Sequence, residues 1–132
     1  MARILINEPH EDVRRLLGRM VARLGHEPIA VVSPTPQQLR SADVFVLEPA
    51  APIGAVLAQA AQLIDPSMPL VCASVQAPPE DLEKLGVVFA AALVKPFTLE
   101  QLDAAIDRAL YARWASEGRR RNGHAGHRDR VA

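Results

Sequence analysis

Residues 43–52 read DVFVLEPAAP. The apolar run Val44-Phe45-Val46-Leu47 is followed at once by an acid, Glu48, and then by Pro49, which breaks the run. Three other stretches have the same form. Ile4-Leu5-Ile6 ends at Asn7-Glu8, Leu70-Val71-Cys72-Ala73 ends at Ser74, and Ala91-Ala92-Leu93-Val94 ends at Lys95-Pro96-Phe97. Short runs that are apolar at every position suit parallel strands covered by helices on both faces. In one parallel sheet their carboxyl ends lie together, at the edge where such sheets bind ligands. That edge would hold two carboxylates, one hydroxyl and one ammonium.

Helical patterns separate the runs. Within Glu11–Leu24, the residues Val13, Leu16, Leu17, Met20, Val21 and Leu24 fall on one helical face, and Gly25 is a natural stop. Pro28–Val32 reads as a further strand. Ser33-Pro34-Thr35-Pro36 leaves only Gln37–Ser41 for a very short helix. Ile53–Ile64 is an Ala-rich helix ended by Asp65-Pro66, and Pro78-Pro79-Glu80-Asp81 opens a short helix to Leu85. The segment Val87–Val94 carries a strand in its second half. Thr98 and Gln101 form a capping box ahead of a last helix reaching about Glu117, with Leu99, Leu102, Ile106 and Ala109 or Leu110 facing inward. Five βα units in this order imply an α/β, flavodoxin-like, doubly wound five-stranded parallel sheet, order 2-1-3-4-5, in three α/β/α layers.

Composition bounds the rest. A chain of 132 residues, 49% hydrophobic, is one globular domain with a real core. The formal net charge of zero hides an asymmetry: residues 119–132 carry five Arg and one Asp, so the remainder is mildly acidic. The expected division is a globular domain over 1–117 and a basic, disordered tail over 118–132. Arg119-Arg120-Arg121 suits the negative end of the last helix, and a nucleic-acid role is not expected of it. Cys72 is the single cysteine, which rules out an internal disulfide and any Cys metal cluster. No window approaches the roughly 18 apolar residues of a membrane span, so a cytoplasmic location is expected. No nucleophile–base pair or Gly-rich phosphate loop appears, and no enzymatic activity is expected. His10, on the loop beside the site, reads as an ordinary exposed histidine.

The sequence resembles the response-regulator receiver family over about residues 3–112. The segments RILINEPHEDVRRLL (3–17), DVFVLEPAAP (43–52), PLVCAS (69–74) and LVKPF (93–97) carry the likeness, in order and spacing. The resemblance implies phosphoryl transfer from a histidine kinase to an aspartate at the end of the third strand. It also implies a metal-holding acid pair after the first strand, a hydroxyl and a lysine that contact the phosphoryl group, and an aromatic switch on the fifth strand. Ser74, Lys95 and Pro96 match the hydroxyl, the lysine and the proline, which in the family usually follows a cis bond. Three positions depart. The acid pair reads Glu8-Pro9, the phosphoacceptor position holds Glu48, and the switch position holds Ala92.

These departures have physical consequences. Mg²⁺ demands near-ideal octahedral oxygen geometry, and a proline ring can ligate nothing. Glu48 is one methylene longer than Asp, and a misplacement of about 1 Å costs on the order of 10²-fold in such a reaction. Glu48 would instead lie close enough to Lys95 to pair with it. The expectation is a degenerate, pseudo-receiver member of the family: a stand-alone signalling domain independent of phosphorylation, with no cofactor and with Mg²⁺ binding weak or absent. It would act through a protein partner, a histidine kinase or downstream effector, or as a homodimer through the last helix and fifth strand, with Tyr111 and Trp114 as anchors. Two alternatives stand beside it: a phosphate-accepting regulator using Glu48, and a flavodoxin-like domain binding a small ligand at the same edge.

Overall fold

A computed structural model describes residues 1–50, 53–76 and 86–131, with side chains described as far as residue 118. The strands are β1 (Arg3–Asn7), β2 (Glu27–Val31), β3 (Val44–Leu47), β4 (Leu70–Ser74) and β5 (Phe89–Val94). The described helices are α1 (Glu11–Arg23), α2 (Pro36–Ser41), α3 (Gly54–Ile64) and α4 (Leu99–Val131). The short helix expected over Pro78–Leu85 lies outside the described residues, as do Ala51 and Pro52 of the loop after β3.

All strand pairs are parallel, in the order β2-β1-β3-β4-β5, as the βα alternation predicts. Side chains alternate between two cores because successive residues of a strand point to opposite faces. Ile4, Ile6, Val44, Val46, Val71, Ala73 and Leu93 pack with Leu17 and Val21 of α1 and Leu102, Ile106 and Ala109 of α4. Leu5, Phe45, Leu47 and Leu70 pack on the other face with Leu39 of α2 and Ala58 and Ala61 of α3. The central strands β1, β3 and β4 are therefore buried on both faces, which is why their sequences show no polar alternation.

Capping fixes the helix starts. Thr98 accepts from the Gln101 amide at 3.1 Å and Gln101 accepts from the Thr98 amide at 2.8 Å, closing the expected box at α4. A second box, Thr35 with Gln38, starts α2 at Pro36 rather than Gln37. Arg113 of α4 ties the opposite end of the sheet, donating to Asp65 at 2.9 Å and to the Asp43 carbonyl at 3.4 Å.

Two expectations need correction. Leu16 belongs to the apolar stripe of α1 by spacing, yet it is 54% exposed. Val13, Leu17, Val21 and Leu24 take the centre of the stripe, and Leu16, about 100° round from Leu17, is left at its margin. The α4 backbone also stays helical to Val131, beyond the end expected near Glu117. Loss of apolar periodicity marks a stretch with no core to face. It does not forbid helix in a segment rich in Arg, a good helix former.

Candidate functional site

The four strand ends meet as their spacing predicts. The Glu48 amide donates to the Asn7 carbonyl at 3.3 Å, which carries the β1–β3 pairing one step further and sets Glu48 beside Glu8. The Lys95 amide donates to the Ser74 carbonyl at 2.8 Å, so Lys95 leaves β5 next to the end of β4. Lys95-Pro96 is a cis peptide bond, as the resemblance implied. Asn7 secures the end of β1 by donating its side-chain amide to the Val32 carbonyl at 2.7 Å.

Lys95 then reaches across the edge. Its Nζ lies 2.6 Å from Glu8 Oε2 and 3.1 Å from Glu48 Oε2. The remaining carboxylate oxygens are also engaged. Glu48 Oε1 accepts from the Ser74 hydroxyl at 2.7 Å and from the Ala50 amide at 3.2 Å. Glu8 Oε1 accepts from the His10 amide at 3.2 Å and lies 3.0 Å from His10 Nδ1. Arg14 donates to the Glu8 carbonyl at 2.8 Å. Two acids and one ammonium thus form a single network in which every carboxylate oxygen has a partner.

Burial makes this network consequential. The Glu8 side chain is 1% exposed, Glu48 10% and Lys95 17%. Burial alone would push the Glu8 carboxyl up, but the hydrogen bonds from Lys95 and His10 outweigh it and hold the pKa below the ordinary glutamate value. Burial would likewise lower Lys95, and the bonds to Glu8 and Glu48 raise it instead. Cys72, on β4 beneath the site, is pushed up to about 11 by burial, with the Glu48 charge adding to the shift. It stays a thiol, the inert residue its apolar run predicts.

Sequence reasoning weighted the pair Glu48–Lys95, and the structure adds Glu8 as the closer partner of Lys95. Three contributors were not singled out as site residues. His10 is exposed, as expected, but its bonds to Glu8 follow from the tight Glu8-Pro9-His10 turn. Arg14 clamps the Glu8 carbonyl from the first turns of α1. Gly54, at the start of α3, lies so close to the loop after β3 that a Cβ there would collide with the Glu48 carbonyl oxygen and sit 2.8 Å from Pro49 Cα. Gly54 lies six positions after Glu48, and nothing in the sequence marks that close approach.

The other marked positions lie apart from the network. Pro9 offers no ligand atom. Ala92 is exposed on β5, with only a methyl where the resemblance implied an aromatic ring. Tyr111 and Trp114 are 67% and 64% exposed on α4, their ring centroids 6.0 Å apart.

The sequence matches no protein-family model and no curated protein. Its structure is similar to solved receiver domains. The chemotaxis protein CheY4 of Vibrio cholerae superposes with a TM-score of 0.71 at 21% identity, covering 83% of this chain and 99% of that one. A response regulator receiver domain protein from Clostridium thermocellum gives 0.67 at 21% identity, covering 84% and 95%. The receiver domain of the sensor histidine kinase PA1611 of Pseudomonas aeruginosa, solved with a magnesium ion in its active site cleft, gives 0.68 at 20% identity, covering 83% and 97%. At these identities the likeness is one of fold: the chain has the flavodoxin-like architecture of response-regulator receiver domains.

Proposed function

We propose that this chain is a pseudo-receiver: a signalling domain of two-component type whose switch site is held closed by its own side chains and works without phosphorylation. The observation that carries the reading is the Lys95 ammonium bridging Glu8 and Glu48. In a receiver with an aspartyl acceptor, an ammonium at this position meets the phosphoryl group. Here Glu48 supplies a permanent negative charge to the same ammonium and to Ser74. The residues present do not fit Mg²⁺. An octahedral ion needs several free oxygen ligands, whereas each oxygen of Glu8 and Glu48 is already engaged, an ammonium lies between them, and Pro9 contributes none. Cofactor-free action follows, and because the described acids and ammonium of the site are all paired, the reading includes no enzymatic activity.

Output then comes from protein contact, with a histidine kinase or downstream effector as the partner. Tyr111 and Trp114, large and exposed, are the anchors by which the α4 face would hold it, and a second copy meeting α4 and β5 is the other form this contact can take. No described helix is long and apolar enough to cross a membrane, and the proposed setting is the cytoplasm.

Incubation with acetyl phosphate and Mg²⁺, read by intact mass, tests the reading. No phosphate adduct is expected. An adduct that maps to Glu48 would favour the second reading, a regulator accepting phosphate on glutamate, for which the bonds from Ser74 and Lys95 to Glu48 are the supporting observation. Trp114→Ala is expected to weaken the partner complex in sedimentation and to leave the fold intact.

A further inference from the structure

The outer faces of α1 and α4 carry opposite charge in the same register. On α1, Arg15, Arg19 and Arg23 are exposed and spaced by four, so they form one row along the helix. On α4, Asp103, Asp107 and Tyr111 form the matching row, partly to fully exposed. Both helices cover the same face of the sheet and start at the edge that holds Glu8 and Lys95. Arg15, Arg19 and Arg23 are the fourth, eighth and twelfth residues after Glu11, and Asp103, Asp107 and Tyr111 are the fourth, eighth and twelfth after Leu99. Counted from the first residue of each helix, the two rows therefore run at the same intervals along their axes.

The rows are largely unspent within the chain. Arg15 pairs with Glu11 at 2.7 Å. Among the described residues, Arg19, Arg23, Asp103 and Asp107 have no ion-pair partner. Beside the basic row lies a largely apolar groove of about 290 Å³, formed by Val13, Leu16, Leu17 and Met20 of α1 with Val75, Pro96 and Phe97, and bordered by Lys95. Leu16, half out of the core, stands at its lip.

We infer that this face pairs with a second copy of the same chain. A two-fold axis running parallel to the helices, in the plane of the interface, would lay α1 of each protomer along α4 of its partner. Arg15 then meets the partner's Asp103, Arg19 the partner's Asp107, and Arg23 the ring of the partner's Tyr111, each contact being made twice by symmetry. The two Leu16 side chains and grooves supply an apolar centre, and the charged rows form the rim. The fit is to itself because both complementary rows lie on one face at one register. The inference does not rest on the state of the switch site: its residues take no part in either row, and Lys95 only borders the groove.

Sedimentation equilibrium on the full chain tests it. The wild type is expected to dimerise, and its dissociation constant to rise with added salt, since exposed charges are screened over about 8 Å at physiological ionic strength. The variants R15E/R19E and D103K/D107K should each weaken self-association by at least about tenfold. An equimolar mixture of the two should associate again as a heterodimer. A wild type that stays monomeric at the highest attainable concentration overturns the inference, as does a dimer indifferent to salt, a result that needs no variant. Folded variants that dimerise like the wild type, or that fail to rescue each other on mixing, overturn it as well.

Discussion

Replacing Lys95 by Met keeps the unbranched stem, one atom shorter, and removes its charge. Two carboxylates, 1% and 10% exposed, would then face each other without the ammonium that bridges them at 2.6 and 3.1 Å. Removing one partner of a buried ion pair costs about 3–5 kcal/mol. The low end, about 3 kcal/mol, applies because Lys95 is 17% exposed and water can enter from its side. In urea unfolding with a slope near 2 kcal/mol per molar, that is a fall in midpoint of about 1.5 M. The pH dependence should reverse. In the wild type the Glu8 pKa is held below its ordinary value, so its contribution is present above the ordinary value and is lost as pH falls through the lowered one. Lys95 is raised, so its contribution is present at neutral pH and lost only as pH rises through its elevated value. The wild type should therefore hold its stability from about pH 7 to about pH 5. In Lys95→Met the burial of Glu8 is no longer offset by the ammonium and favours its protonation, so stability should rise over the same interval. Adding Glu8→Gln to Lys95→Met should recover more than adding Glu48→Gln, since Glu8 is the more buried acid. A Lys95→Met protein as stable as the wild type at neutral pH, with the same pH profile, would rule out a stabilising bridge by Lys95.

Other perturbations separate the supports of the site. Gly54→Ala forces a methyl against the Glu48 carbonyl and Pro49, and should cost about 2 kcal/mol by denaturant unfolding, far more than the same change at Gly18, where a Cβ meets nothing within 4 Å. Ser74→Ala removes the 2.7 Å hydroxyl bond to Glu48 and leaves Oε1 with the longer Ala50 amide, for a loss of about 1–2 kcal/mol in the same measurement. Arg113→Ala breaks the half-buried bridge to Asp65 at the opposite sheet edge and should lower the thermal midpoint by a few degrees, about 1 kcal/mol, without altering the pH profile that Lys95 governs.

How far the sequence could be read depended on whether a feature was local. VFVL gave strand β3 to the residue because all four positions are buried and Glu48-Pro49 ends the run. The capping boxes show the same principle from two sides. Thr98–Gln101 is plain in the sequence, and Thr35–Gln38 is equally local but was masked by the flanking prolines, which argued for a break. The meeting of Glu8, Glu48, Ser74 and Lys95 follows from parallel strand order alone. What did not follow was the choice Lys95 makes between the two acids, because it depends on tenths of an ångström contributed by elements far apart in the chain. Gly54 was unreadable for a related reason: its value lies in how closely α3 approaches a loop, which composition does not record. Leu16 satisfied the helical period yet lies at the margin of the stripe, since spacing defines an arc and only packing defines its centre.

The switch site is proposed to be already filled by its own ions. Nuclear magnetic resonance of the Lys95 side-chain ammonium, with Mg²⁺ and beryllium fluoride added as a phosphoryl mimic, observes that site directly. The expected result is a slowly exchanging Lys95 signal that neither addition moves, with the Ser74 and Ala92 amides equally unaffected. A Lys95 signal that shifts on addition, together with changes at Ser74 and Ala92, would show the pair opening to admit metal and phosphoryl group, and would contradict the claim.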